Sequence, residues 1–184
     1  MRGETIARNY AEALFELAER EGEVERWGEA LELIAGIVHE EPRVRAFLET
    51  PRIQTSEKNQ VLRSAFEGKV PDRVLHFLLL VVDRRRQRLL QEITAEYRAL
   101  LDERLGRAHV TVQVAREMDE DERARVQERL SAILGKEAIL DVQVRPELLG
   151  GVVFRSGDMI LDGSVRRRLQ RMRRRLMEAG LSTE

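Results

Sequence analysis

Apolar residues recur every three or four positions through the first hundred residues, and then the period shortens to two. Ile6, Tyr10, Ala13, Leu14 and Leu17 share one face of a first helix, with Thr5 placed to cap it. Gly22 interrupts, and Val24, Trp27, Leu31, Ile34 and Val38 form the stripe of a second helix. Pro42 opens a short third helix carrying Val44, Phe47 and Leu48. Thr50-Pro51 ends it, because a residue before proline avoids the helical region. Ser56 is placed to cap a fourth helix with Val61, Leu62, Ala65 and Phe66, which Gly68 stops. Pro71-Asp72 start a fifth, whose centre HFLLLVV is apolar round nearly the whole circumference. Such a helix is either buried or covered by a partner. The run DRRRQRLLQEITAEYRALLDERL predicts a sixth, with Leu89, Leu90, Ile93, Tyr97, Leu100 and Leu101 in step.

At Gly106 the pattern changes. HVTVQV puts Val110, Val112 and Val114 on one face and Thr111 and Gln113 on the other, the alternation of a half-buried strand. Asp119, with Glu122 three residues on, starts a helix carrying Val126, Leu130, Ile133 and Leu134, and Gly135 ends it. ILDVQVR alternates again. Residues 152–155 and 159–161 flank Ser156-Gly157-Asp158, where glycine permits a tight hairpin turn. Ser164 caps a last helix. The fold class expected is therefore mainly α with a small α/β part: a six-helix bundle over 1–105, then an α/β module over 106–184.

Composition narrows what such a chain can do. Of 184 residues, 42% are hydrophobic and 35% charged, yet the formal net charge is only -1, without the positive excess usual for general nucleic-acid binding. No cysteine is present, which removes disulfides and thiolate metal sites. The start, MRGETIARNYAEALF, lacks the apolar run of a secretory signal. The longest purely apolar run, 77–82, is far short of the ~20 residues that span a bilayer, so any membrane association is expected to be indirect.

Candidate chemistry is sparse. His39, His76 and His109 are scattered without a metal-ligand spacing. Gly150-Gly151 has no Walker lysine or GxGxxG pattern, and reads as a strand starting sharply or packing closely. Asp158 and Asp162 read as turn and cap residues rather than an acid/base pair. No catalytic residue, metal, cofactor or small-molecule substrate is expected. The last helix carries Val165, Leu169, Met172 and Leu176 as a narrow apolar seam, surrounded by Arg166, Arg167, Arg168, Arg171, Arg173, Arg174 and Arg175. Three readings of those arginines stand side by side: an acidic protein partner, a solvated face, or nucleic acid. Trp27 reads either as core packing or as the rim of a binding groove.

The segment LLGGVVFRSGDMILDGSVRRRLQRM resembles the C-terminal signature of the delta subunit of F-type ATP synthase, the oligomycin-sensitivity-conferring protein of mitochondria. The likeness rests on Gly150-Gly151, on Gly157-Asp158, and on Leu161-Asp162-Gly163-Ser164-Val165 running into a helix with Leu169. ARNYAEALFELAEREGEVERW is similar to the family's opening helix and turn. The resemblance implies a non-catalytic stator subunit, peripheral on the cytoplasmic face of the cell membrane, joining the catalytic head to the peripheral stalk so that ion flow is coupled to ATP synthesis. It also implies two partners. The N-terminal helix of an alpha subunit enters a groove between the first and fifth helices, and the b subunits of the stalk meet the C-terminal module.

The residues are compatible with such a groove. Tyr10, Ala13, Leu14, Leu17 and Trp27 are expected to meet the guest helix, small Ala11 and Ala13 letting it approach, together with Val74, Phe77, Leu78 and Val81 shared between core and groove. Four or five buried anchors correspond to nanomolar affinity, about -12 kcal/mol. Val165, Arg168, Leu169, Met172 and Leu176 are expected to meet the stalk, the seam packing partly on the module itself. On this reading the arginines serve a protein partner. The alternative, a nucleic-acid-binding module using the last helix, predicts binding that is strong at low salt and falls steeply as salt rises, which a filter-binding titration measures.

Overall fold

Element ends fall where the sequence changes period. In the structure, a computed structural model, residues 2–148, 150–157 and 159–180 are described, with their side chains except at 2 and 175–180. The helices α1 (Arg2–Glu21), α2 (Val24–Glu40), α3 (Pro42–Glu49), α4 (Thr55–Phe66), α5 (Asp72–Asp83) and α6 (Leu90–Leu105) come first, with a 3₁₀ turn over Gln87–Leu89 before α6. There follow β1 (Arg107–Val114), α7 (Glu120–Leu134), β2 (Glu137–Val144), β3 (Val152–Ser156), β4 (Met159–Asp162) and α8 (Val165–Gly180). The chain divides into two compact units, 1–104 and 105–184. The fold class is the one expected, mainly helical with a small four-stranded sheet.

In the first unit the core stripe of α1 is Ala7, Ala11, Leu14, Phe15 and Ala18. Its three alanines are fully buried, so α1 lies close to its neighbours and needs little side-chain volume to fill the contact. Ala11 therefore serves the bundle; the sequence reading, which had it letting a guest helix approach, is corrected here. Tyr97 of α6 is buried, its hydroxyl donates to the Val24 carbonyl at 2.9 Å, and Phe15 packs edge-on against its ring at 5.3 Å. Burial raises the Tyr97 pKa, so the hydroxyl remains a donor. Lys58 is also buried, and its ammonium donates to the Leu48 and Thr50 carbonyls at 2.6 and 2.8 Å, satisfying carbonyls at the end of α3.

Several local expectations shift. Thr5 does not cap α1, which starts at Arg2 and so places it in the first turns. Ser56 does not cap α4, because Gln54 holds the extended N-cap conformation and the helix starts at Thr55. Lys58, Leu62 and Phe66, four residues apart, take the buried line of α4, leaving Val61 and Ala65 exposed. The arginine run ahead of the sixth helix is not helical throughout. Arg85 takes a left-handed turn at φ 55, with its amide donating to Val82 and that of Arg86 to Val81.

The second unit is one sheet in the order β2-β1-β3-β4, with β1 and β2 parallel and the other pairs antiparallel. Its α7 supplies the crossover that a parallel pair requires. Asp119 and Glu122 form the reciprocal cap: the Asp119 carboxylate accepts from the Glu122 amide at 2.7 Å, and Glu122 accepts from the Asp119 amide at 3.3 Å. Val110, Val112, Val114, Ala138, Leu140 and Leu130 make the core. Ile133 is not part of it; it is exposed beside Met159 and Leu161 at the β4 edge.

The glycine pair has a steric cause. Gly150 and Gly151 hold φ of 143° and 80°, a Cβ on Gly151 would lie 2.4 Å from the Gly163 carbonyl oxygen, and no phosphate cradle is needed to explain it. The Val165 amide donates to the Gly150 carbonyl at 3.0 Å, and the Gly163 amide to that of Val152 at 2.9 Å. Entry into β3 is thus laced to the joint between β4 and α8. Gly151→Ala is expected to destabilise the second unit by at least about 2 kcal/mol in chemical denaturation. Gly157→Ala, at φ 55 with nothing near its added methyl, is expected to cost about 1 kcal/mol.

Candidate partner-binding groove

Six of the eight apolar residues of α5 are buried: Val74, Leu75, Leu78, Leu79, Val81 and Val82. The remaining two, Phe77 and Leu80, fall on the face marked by Arg73, His76 and Arg84. On α1 the matching edge is Asn9, Tyr10, Ala13, Leu14 and Leu17. Together they line an open cavity of about 500 Å³ between the two helices. Its floor is apolar: Leu17 is 48% exposed and Leu80 44%. Tyr10 and Phe77 meet edge-on at 6.0 Å, bridging the helices. Arg86 fixes the tyrosine by donating to its hydroxyl at 2.9 Å, with the guanidinium 5.3 Å from the ring centroid. Arg73 and Arg84 stand at opposite ends of the α5 edge, and Arg73 is tied to Glu21 at 3.2 Å.

The structure brings Tyr10, Ala13, Leu17 and Phe77 together in this groove, over Leu14, which at 2% exposure belongs to the bundle core. It puts Val74, Leu78 and Val81 elsewhere, at 0%, 1% and 0% exposure in the bundle core, where they offer nothing to a guest. Trp27 is likewise fully buried; its indole donates to Glu23 at 3.0 Å, and this bond, with Arg26, holds the Glu23 carboxyl below its ordinary range. Trp27 is a core residue and not a rim residue. Asn9, Arg73, His76, Leu80 and Arg84 were missed. The signal for them was Arg73, Phe77, Leu80 and Arg84 at helical spacing, the polar ends fixing which face of α5 meets water.

The other candidate surface is α8. Asp162 and Ser164 form its start: the Asp162 carboxylate accepts from the Ser164 amide at 2.9 Å, and the buried Ser164 hydroxyl accepts from the Arg167 amide at 3.2 Å. Beyond that turn, every residue over 165–174 is exposed. Val165, 40% exposed, rests against Gly150 of the module, whereas Leu169 and Met172 are 55% and 54% exposed. Arg168 is exposed as well, and the side chain of Leu176 lies outside the described residues, as does Asp158. Among the described residues no three histidine or carboxylate side chains converge as metal ligands, and no helix is long and apolar enough to cross a membrane.

A helical bundle with an open apolar groove, followed by a small α/β module bearing an uncovered amphipathic helix, describes an adaptor built from surfaces. The sequence matches the ATP synthase delta (OSCP) subunit family over residues 6–176. It is 43% identical over 176 residues to ATP synthase subunit delta of Gemmatimonas aurantiaca, covering 96% of this chain and 95% of that one. To the subunit delta of Symbiobacterium thermophilum it is 41% identical over 179 residues, covering 97% and 96%. Its fold is similar to that of a chain in the cryo-EM structure of the Toxoplasma gondii mitochondrial ATP synthase hexamer, with a TM-score of 0.70 at 19% identity over 93% and 97% of the two chains. The chain belongs to the ATP synthase delta (OSCP) subunit family. It is a stator component of the synthase, linking F1 and the peripheral stalk, and nothing supports the nucleic-acid reading of α8.

The start of α8 carries a pH signature. The Ser164 backbone amide, then its hydroxyl, hold the Asp162 carboxyl below its ordinary range, with Arg167 and Arg171 adding smaller effects. A depressed carboxyl contributes stability that is full above its unfolded value, about 3.9, and is lost as pH falls through the folded one. Helicity over 165–170, followed by carbon chemical shifts, is expected to fall in that acid range, and Asp162→Ala to remove that step.

Proposed function

We propose that the groove between α1 and α5 receives an amphipathic helix from the F1 head, the N-terminal helix of an alpha subunit, and that the second unit holds the b subunits of the stalk. The chain makes no bond and breaks none in this role; it transmits force between two partners, sitting peripherally on the cytoplasmic face of the membrane. One observation carries the reading. The bundle buries six of α5's eight apolar residues and leaves Phe77 and Leu80 beside Leu17 and Ala13, over a strip bordered by Arg73 and Arg84. From Asn9 to Leu17 that strip runs about 12 Å, matching two turns of a guest helix. A guest with leucines facing the floor and carboxylates facing the arginines meets both requirements.

The affinity expected is lower than four or five full anchors would give. Val74, Leu78 and Val81 are already out of water in the free chain, so binding gains nothing from them. Leu17 and Leu80 are about half exposed, and burying each contributes roughly 1 kcal/mol. Micromolar binding, near -8 kcal/mol, is the expectation for the isolated contact. For α8, Val165, Leu169 and Met172 offer a seam for stalk helices, and the surrounding arginines pair with acidic residues there.

Exposed groove residues make the cleanest test, because their replacement leaves the core intact. Leu17→Asp and Leu80→Asp are each expected to weaken binding of the alpha-subunit N-terminal peptide by at least about tenfold in calorimetry, with thermal unfolding unchanged. Leu33→Asp, on an exposed position of α2 outside the groove, is expected to bind as the parent does. Equal affinity for all three variants overturns the assignment.

A further inference from the structure

The first unit contains a second open surface, which shares no lining residue with the α1/α5 groove. A cavity of about 650 Å³ opens where the end of α3, the start of α4 and the turn between α5 and α6 come together, with Glu49, Ser56, Lys58, Arg85, Gln87 and Arg88 on its wall. Three cations there face one carboxylate, and Glu49 is already joined to Arg88 at 2.9 Å. Among the described residues neither Lys58 nor Arg85 has a carboxylate partner. Lys58 is only 6% exposed, and a buried charge without a counter-charge is costly. The Leu48 and Thr50 carbonyls take two of its three N–H donors and leave the third. Beside it α4 begins without a side-chain cap. The Gln54 carbonyl accepts from the Glu57 and Lys58 amides at 3.1 Å, which leaves the Thr55 and Ser56 amides as the unpaired donors of the first turn. Gln87 adds an orphaned acceptor. Its amide nitrogen donates to the Leu48 carbonyl at 2.9 Å, while its side-chain oxygen is buried without a partner in the chain.

We propose that this cavity binds inorganic hydrogen phosphate. Lys58 and Arg85 supply the charge, and the Ser56 hydroxyl with the free first-turn amides supplies hydrogen bonds. The Gln87 oxygen selects among anions. Hydrogen phosphate brings an O–H donor for it, whereas sulfate, a carboxylate and the dianion of a phosphomonoester bring only acceptors at neutral pH. Once bound, the ion ties the end of α3, the start of α4 and the α5–α6 turn to one another, so phosphate stabilises the bundle. The site rests on the first unit alone and does not depend on which partner fills the groove.

The test uses the full chain, isotope-labelled, titrated with phosphate and separately with sulfate at constant ionic strength. The expected result is saturable shifts at the amides of Thr55, Ser56, Lys58 and Arg85 and at the Gln87 side-chain amide, with a rise in unfolding temperature. Sulfate and a phosphomonoester should each bind at least about fivefold more weakly, and Gln87→Met should bring phosphate and sulfate to equal affinity. Arg85→Gly is the cleanest variant, because the left-handed φ of 55 at that position suits glycine and the guanidinium has no partner among the described residues. It should keep the parent's unfolding temperature without phosphate and weaken phosphate binding at least about tenfold. The proposal is overturned by the lack of a saturable shift with phosphate, by equal affinity for sulfate in the parent chain, or by undiminished binding in Arg85→Gly. If Arg85→Gly unfolds, the parent's comparison of phosphate with sulfate decides alone.

Discussion

A twelve-residue helix with apolar residues on nearly every side cannot hide them all in a bundle of this size, and α5 is that helix. The packing resolves the excess by sinking Val74, Leu75, Leu78, Leu79, Val81 and Val82, and leaving Phe77 and Leu80 at the surface. Because α1 turns Ala7, Ala11, Leu14, Phe15 and Ala18 to the core, Tyr10 and Leu17 fall at the same border. The groove is what remains when two helices satisfy the core and still have hydrocarbon left over. Leaving it in water costs stability that the monomer does not recover, which is the physical reason to expect a partner there.

The second unit reaches the same outcome by different means. A parallel strand pair needs a crossover, and α7 supplies it with a reciprocal cap at its start. The glycine pair then lets backbone meet backbone at the β4–α8 joint, so that α8 begins from a fixed, capped turn. Its seam is uncovered over the described residues. Both units present faces.

Much of this was legible in the residues. The switch from period three-to-four to period two at Gly106, the Asp119–Glu122 cap and the Ser164 cap all stand where local chemistry put them. The groove was legible in part. Periodicity put Tyr10, Ala13, Leu14 and Leu17 on one face of α1, and the family resemblance set that face against α5; Val74, Leu78 and Val81, read as shared between core and groove, are buried, because an all-apolar helix carries no internal mark of its inward direction. Arg73 and Arg84 supply that mark once charge is read together with hydropathy. Trp27 was open between core and rim, with core the favoured reading, and its full burial decides for the core. The caps at Thr5 and Ser56 were misread because their neighbours extended each helix by a few residues, a choice made by packing rather than by the capping side chain.

The claim that the α1/α5 groove is the seat of the F1 contact is open to a direct measurement, helped by the absence of native cysteine. Single cysteines at Leu80→Cys in the groove and Leu33→Cys outside it can be labelled with a maleimide, with and without the F1 head. The account predicts that F1 slows labelling at position 80 by at least about tenfold and leaves position 33 unchanged. Labelling of position 80 at its free rate while F1 is demonstrably bound would contradict it.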